Sequence, residues 1–359
     1  MSPKPISLFA RTIRGIESIA VSEIEQRCGA AITEIRHREI RFQLDSLKPG
    51  LLDLGSVDDV FLTCGLISEV DHTRAALASL AKRSNRINFV ETVAPLKHIR
   101  KIPGKPNFDV VASFLGRRNY NRFEIEDTVA EVIQRQTRWS YTPQREHKSD
   151  LDLSFRIHLS DQEAIIGVRL TSAPLHRRTY KIESRTGTLH PPLAFAMAML
   201  SSPAENQKLL DPFCGVGTIL IEALTLEPRL CASGLDIDSE SIRKAISIAE
   251  TANKDIRFVV GDAGQLPFAD GEIDRIISNP PWGRAVGVRG SAKESFFDEL
   301  KRVSGAGVRI VLLMDAADEH QADIGRSGFK VLGQTPVSLF GSWPEILVLG
   351  NAEDKQNKP

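Results

Sequence analysis

Over the first seventy residues the apolar positions change from strand-like alternation to helical spacing and back. LFART reads as a short strand and Gly15 as a turn; a helix follows with Ile16, Ile19, Ala20 and Ile24 on one face, stopping near Gly29. EIRFQLD alternates again, and KPGLLDLGSVDDVFLTCGLI suggests a further helix and strand. This order of strand, helix, strand and strand begins a small α+β unit over residues 1–70.

From Asp71 to Arg178 a second unit is expected, with a helix over His72–Lys82 and a long helix in FEIEDTVAEVIQRQTRWSY. LDLSFRIHLSDQEAIIGVRL then gives two alternating strands joined at Ser160 to Glu163, a hairpin. Thr171 to Pro192 reads as basic loop, and Leu193–Leu200 as an apolar helix. Beyond Lys208 short apolar strands alternate with amphipathic helices: KLLDPFC, TILIEALTL, CASGLDID, SESIRKAISIAETA, IRFVVGD, IDRIISNPP, VRIVLLMD, GFKVLGQTP and EILVLG. Such alternation predicts an α/β fold whose sheet is covered by helices on both faces. Residues 352–359 read as a disordered tail.

A length of 359 residues allows two or three domains. Cys28, Cys64, Cys214 and Cys231 are far apart, with no C-x-x-C pair, so reduced thiols in a cytoplasmic protein and no metal site are expected. No export signal is read at the N-terminus, and the lack of an apolar run of about 18 residues predicts no membrane span. A monomer is the expectation. The zero net charge conceals an asymmetry, since Met1–His190 holds 29 Lys and Arg against 23 Asp and Glu, and Pro191–Pro359 holds 17 against 23. Within Arg74–Arg122 there are 11 basic residues, and only Glu91 and Asp109 oppose them. That stretch is the natural footprint for a polyanion, or else a solvated basic face.

The strand ending at Asp211 runs through Pro212-Phe213-Cys214-Gly215-Val216-Gly217-Thr218 into a helix, a turn that lets the backbone approach a ligand. A dinucleotide fingerprint would need a small residue where this chain has Leu220, which disfavours a pyrophosphate-binding dehydrogenase. Asp236 ends the next strand, 19 residues after Gly217, where a carboxylate can accept both ribose hydroxyls. Asp262 ends the third, placed to accept from an adenine amine while the Ala263 amide faces the ring. Asp211 could pair with an ammonium, and no Lys or Arg lies between Leu209 and Glu222. Together these point to an adenosine ligand without phosphate, such as S-adenosylmethionine.

The fourth strand ends in Asn279-Pro280-Pro281-Trp282-Gly283. An exocyclic amine of guanine or adenine is a poor nucleophile, because its lone pair is delocalised into the ring. Two acceptors that hold its hydrogens, the Asn279 side-chain oxygen and the Pro280 carbonyl, would draw the nitrogen toward tetrahedral geometry. Trp282 would stack on the extruded base.

DPFCGVGTILIEA followed by SNPPWG resembles the THUMP-containing class I RNA methyltransferases that make N2-methylguanosine. RTIRGIESIAVSEI is similar to that family's N-terminal ferredoxin-like segment, the hairpin running into LTSAPLHRRTYK to the end of a THUMP domain, and TLHPPLAFAMAMLS to its linker helix. The resemblance implies a ferredoxin-like domain over 1–70, a THUMP domain over 71–180 and a linker helix over 181–204. A Rossmann-like methyltransferase domain with a seven-stranded sheet would then occupy 205–351. It implies S-adenosylmethionine held by Asp211, Phe213, Gly215, Gly217, Thr218, Asp236, Ile237, Asp262, Ala263 and Asn279, with Asn279, Pro280 and Trp282 catalytic. The family usually has Tyr or Phe at the position of Trp282. Asn279 tilts the expected target toward guanosine 6 of tRNA, with guanosine 10, 23S rRNA guanine or adenine N6 as alternatives, and a relic domain in a non-catalytic RNA-binding protein as another. The RNA partner would meet Arg83, Arg86, Lys97, Arg100, Lys101, Arg117, Arg118, Arg177 and Arg178, with Phe89, Phe108, Phe114 and Tyr120 interleaved.

Overall fold

The computed structural model describes residues 5–145, 151–180, 188–281, 292–315, 317–339 and 341–352. The chain divides into two compact units, Met1–Thr12 with Val21–Leu175, and Ile13–Ala20 with His176–Pro359.

The strands of the first unit are β1 (Ile6–Arg11), β2 (Ala31–Arg36), β3 (Glu39–Leu44), β4 (Asp59–Ile67), β5 (Asn107–Phe114), β6 (Ser140–Tyr141), β7 (Leu153–Ser160) and β8 (Glu163–Arg169). They form one sheet in the order β2-β3-β1-β4-β8-β7-β5-β6. Residues 1–70 and 71–180, read as separate units from the sequence, thus share a sheet through antiparallel pairing of β4 with β8. The hairpin of β7 and β8 turns where expected, with Ser160 opposite Glu163. Helix α1 (Glu17–Cys28) follows β1; α2 (Ala75–Ser84) and α3 (Phe89–Val93) lie between β4 and β5, and α4 (Arg122–Thr137) follows β5. A capping box of Asn121 and Glu124 starts α4, and Arg138, at φ 61°, ends it. Phe89 of α3 and Phe108 of β5 both meet Phe155 of β7 edge-on, at 5.7 and 5.6 Å between centroids, which fixes the apolar face of the sheet. Because side chains alternate across a strand, Arg11, Glu39, Asp59, Arg156, His158 and Arg169 project from the other face.

In the second unit α5 (Pro191–Ser201), expected as part of a linker, is a core helix: Leu193, Phe195 and Met197 are fully buried. Its two prolines occupy the first turn, where no intrahelical donor is needed. Next come β9 (Lys208–Asp211), α6 (Thr218–Leu226), β10 (Cys231–Asp236), α7 (Ser239–Thr251), β11 (Ile256–Val260), β12 (Ile273–Ser278), α8 (Ala292–Val303), β13 (Ser304–Met314), α9 (Gln321–Arg326), β14 (Phe329–Pro336) and β15 (Glu345–Asn351). The seven-stranded sheet has the order β11-β10-β9-β12-β13-β15-β14. Only β15 pairs antiparallel to its neighbours. The order reverses at β9, so the crevice at the carboxyl ends of β9, β10 and β12 is the binding position that this topology favours. The expected tail lies outside the described residues, apart from Ala352.

Gly15 is held at φ 105°, where a Cβ would come within 2.1 Å of the Pro336 carbonyl oxygen, so only glycine fits this crossing. Glu222 of α6 is fully buried, yet it accepts from Arg178 Nε at 2.9 Å and Nη2 at 3.0 Å and from the Tyr180 hydroxyl. A buried carboxylate bound on both oxygens ties the segment before α5 to α6. Replacing Glu222 by Gln removes the buried charge to which Arg178 and the Tyr180 hydroxyl donate. The expected result is a loss of about 3 kcal/mol of unfolding free energy, read by denaturant titration of the full chain.

Candidate active site

The carboxyl end of β9 carries a buried carboxylate. Asp211 is 1% exposed; its Oδ1 accepts the Ser278 hydroxyl at 2.6 Å and the Phe213 amide at 3.1 Å. Its Oδ2 is buried with no partner. Burial, reinforced by the nearby charge of Asp236, lifts its pKa to about 7 against the pull of these two donors. A carboxyl so placed has one oxygen available to a ligand cation.

The turn after Asp211 is fixed from both sides. The Cys214 amide donates to the Leu235 carbonyl, at 2.9 Å, and the Gly217 amide to the Cys214 carbonyl, at 2.8 Å. Gly217, at φ 81°, opens α6, and Phe258 lies 3.2 Å from where its Cβ would be. At Gly215 an added Cβ would meet nothing within 4 Å, so open space faces the turn there. Asp236, at the end of β10, accepts the Gly215 amide on Oδ2 and the Asp238 amide on Oδ1, both at 2.9 Å. Each oxygen retains a lone pair, enough for a vicinal diol. Ile237 beside it is 46% exposed, an apolar surface on the rim.

Asp262 follows β11 and accepts the Gly264 amide at 2.9 Å; Ala263 is buried. Phe213 packs on Phe296 with 5.3 Å between centroids, and Thr218 is buried at the start of α6. The backbone therefore brings Asp211, Gly215, Gly217, Asp236 and Asp262 to the carboxyl ends of neighbouring strands. These donors and acceptors, free of any Lys or Arg in the turn, fit an adenosyl ligand with an ammonium group.

Asn279 follows the last residue of β12 and is half-buried; its side chain has no hydrogen-bond partner among the described residues. Pro280 is buried behind it, and Trp282 lies outside the described residues. Ser278 was not singled out from the sequence, yet it joins the two motifs, because its hydroxyl on Asp211 fixes the strand end that presents Asn279. Its signal was a polar residue closing the otherwise apolar run of IIS.

The basic residues expected to meet RNA divide into two groups. Arg83 pairs with Glu69 and donates to the Ser68 carbonyl; Arg100 donates to the carbonyls of Leu170 and Asp152. Arg118 donates to the carbonyls of Val70, Asp71 and Asp161, and Arg178 pairs with Glu222. These four brace the fold. Arg86, Lys97, Lys101, Arg117 and Arg177 are exposed, with no acidic partner among the described residues. Of the aromatics, Phe89 and Phe108 are fully buried and Tyr120 is 4% exposed, so their faces are used in packing; Phe114 is half-buried.

The RMKL-like methyltransferase domain family UPF0020 matches residues 178–341. A tRNA (guanine(6)-N2)-methyltransferase of Thermus thermophilus is 30% identical over 277 residues, 75% of this chain and 80% of that protein. A U6 snRNA (guanine-N(2))-methyltransferase of Mus musculus is 29% identical over 212 residues, 57% of this chain and 39% of that one. The crystal structure of TrmN from Thermus thermophilus superposes with a TM-score of 0.75 at 25% identity, covering 96% of this chain and 99% of that chain. On this likeness and the site that carries it, the chain belongs to the THUMP-containing class I tRNA (guanine-N2)-methyltransferase family.

Proposed function

We propose that this protein transfers a methyl group from S-adenosylmethionine to the exocyclic N2 amine of a guanosine in tRNA, at position 6. The observation that carries the reading is the Asn279 amide just past the end of β12, without a partner among the described residues and next to the Ser278 hydroxyl that grips Asp211. The relative named for guanosine 6 supports the position. The cofactor supplies an electrophilic methyl on a sulfonium, whose charge is lost on transfer.

The residues supply orientation. Asn279 Oδ1 and the Pro280 carbonyl accept the hydrogens of the target amine and direct its lone pair, and the prolines keep this segment rigid and free of competing donors. Trp282 offers a face for the base turned out of its stack. Asp236 receives the ribose hydroxyls, Asp262 the adenine amine, and Asp211 Oδ2 the ammonium. No strong base is needed, since the product proton can leave to water. Arg86, Lys97, Lys101 and Arg117 supply phosphate contacts that depend on RNA shape rather than sequence.

Nucleoside mass spectrometry of tRNA and rRNA incubated with the purified protein should show N2-methylguanosine in tRNA alone. N6-methyladenine, a product only in rRNA, or no product would refute the assignment. With Asn279→Ala, kcat should fall at least about a hundredfold, while tRNA affinity stays within about twofold.

Asp211 gives a pH signature. Its folded pKa, about 7, lies above that of an unfolded aspartate, so the protonated group favours the ligand-free fold at low pH, and that contribution is lost as pH rises through 7. Binding an ammonium requires the ionised form. S-adenosylmethionine affinity should therefore rise about tenfold per pH unit below 7 and level off above it; calorimetry across this range should give a flat profile for Asp211→Asn.

A further inference from the structure

On the sheet face opposite α2, α3 and α4, the charged residues of the first unit form a nearly closed set of pairs. Arg11 bonds to Glu39 at 3.2 Å, Arg169 to Asp59 at 2.6 Å, and Arg38 to Asp58 at 3.3 Å. Arg41 is shared among Glu34, Glu39 and Glu163. Its reach from β3 to β8, across β1 and β4, shows that the sheet curls over this face. Phe9, Phe61 and Ile165 form an apolar floor, with Phe9 and Phe61 stacked at 4.9 Å.

Two groups on this face stand outside those pairs: Asp109 of β5, whose Oδ1 is buried with no partner among the described residues, and Arg156 of β7. Among the described residues the Arg156 side chain makes one hydrogen bond, a long one from Nη2 to Ser113 Oγ at 3.3 Å, and its Nε is buried with no partner. No carboxylate lies within ion-pair distance of it among the described residues. The Ser113 hydroxyl contacts His158 Nδ1 at 2.8 Å. Burial and the charges of Arg11 and Arg156 hold the His158 pKa down to about 3, so the ring is neutral at physiological pH. Burial first, then Arg11, Arg169 and Arg38, lower the Arg156 pKa to about 10, which still leaves it charged; Asp59 only partly offsets them. A guanidinium half-removed from water and facing other guanidinia is unfavourable unless an anion completes it.

We propose that Arg156, with Ser113 and the flanking Arg11 and Arg169, forms a receiving site for one phosphate, and that its occupant is a phosphodiester of the RNA substrate. Arg156 offers a charged donor fork, Ser113 an adjustable hydroxyl, and the apolar floor excludes water beneath them. The site rests on the RNA-methyltransferase reading for its occupant, but not for its affinity for phosphate. It differs from Arg86, Lys97, Lys101 and Arg117, which are solvated cations without a built surrounding.

The test combines inorganic phosphate and tRNA with the full chain. Phosphate should raise the melting temperature of the wild type saturably, where chloride at equal ionic strength does not, and tRNA should compete with it. Arg156→Met should melt at or above the wild-type temperature in phosphate-free buffer, because an uncompensated charge has gone. It should also lose the phosphate effect, bind tRNA about tenfold more weakly and show a salt dependence shallower by about one phosphate. Arg156→Lys should recover part of each. Phosphate protection that persists in Arg156→Met, unchanged tRNA affinity and salt slope, or a fall in melting temperature with no change in phosphate response overturns the proposal. If Arg156→Met does not fold, absence of a saturable, tRNA-competed phosphate effect on the wild type overturns it. Because phosphate binding is read without methyl transfer, failure here is distinct from failure of the methylation assay.

Discussion

Everything at the catalytic edge depends on one buried carboxyl group. Asp211 stands at the end of β9, where the strand order reverses, and its Oδ1 collects both the Phe213 amide that leads into the glycine turn and the hydroxyl that ends β12. One oxygen thus sets the relation between the cofactor turn and the strand that presents Asn279. Burial would normally exclude such a group, and the rise of its pKa to about 7 records the penalty. The arrangement is tolerable because two donors serve one oxygen and because the second is left for a cation.

The second unit was legible because its physics is local. Parallel strands buried on both faces read as short continuous apolar runs, and an acid closing each of three such runs marks the carboxyl edge. The first unit was less legible because its sheet is assembled from distant pieces. The β4 and β8 pair joins residues about a hundred positions apart, and nothing in either strand names the other. β5 was hidden inside a stretch read for its charge, although Phe108, Val110 and Ala112 alternate as strand residues should. β2 has no buried residue along its length and so gave no pattern.

Charge counting picks out a basic region but cannot say how each charge is used. Arg83, Arg100, Arg118 and Arg178 contribute to the basic excess, yet they satisfy carbonyls or carboxylates inside the fold. Such bonds follow from loop geometry, which residue counts do not contain. The same blindness works in reverse at Arg156, which sits in a strand read only as alternating and whose significance lies in what it lacks. A missing partner is visible only when every neighbour has been placed.

The two units therefore handle charge by opposite rules. In the second, the turn that approaches the ligand carries acids and amides but no cation, so a phosphate gains nothing there while a sulfonium with an ammonium group does. In the first, most acids of the sheet face opposite the helices are paired with arginines, and positive charge is left over on the solvated surface and at Arg156. Contacts with phosphate weaken steeply with salt because they release condensed counterions; hydrogen bonds that hold a ribose or a base amine do not. Ionic strength should consequently govern how much RNA is bound and leave the methyl-transfer step almost untouched.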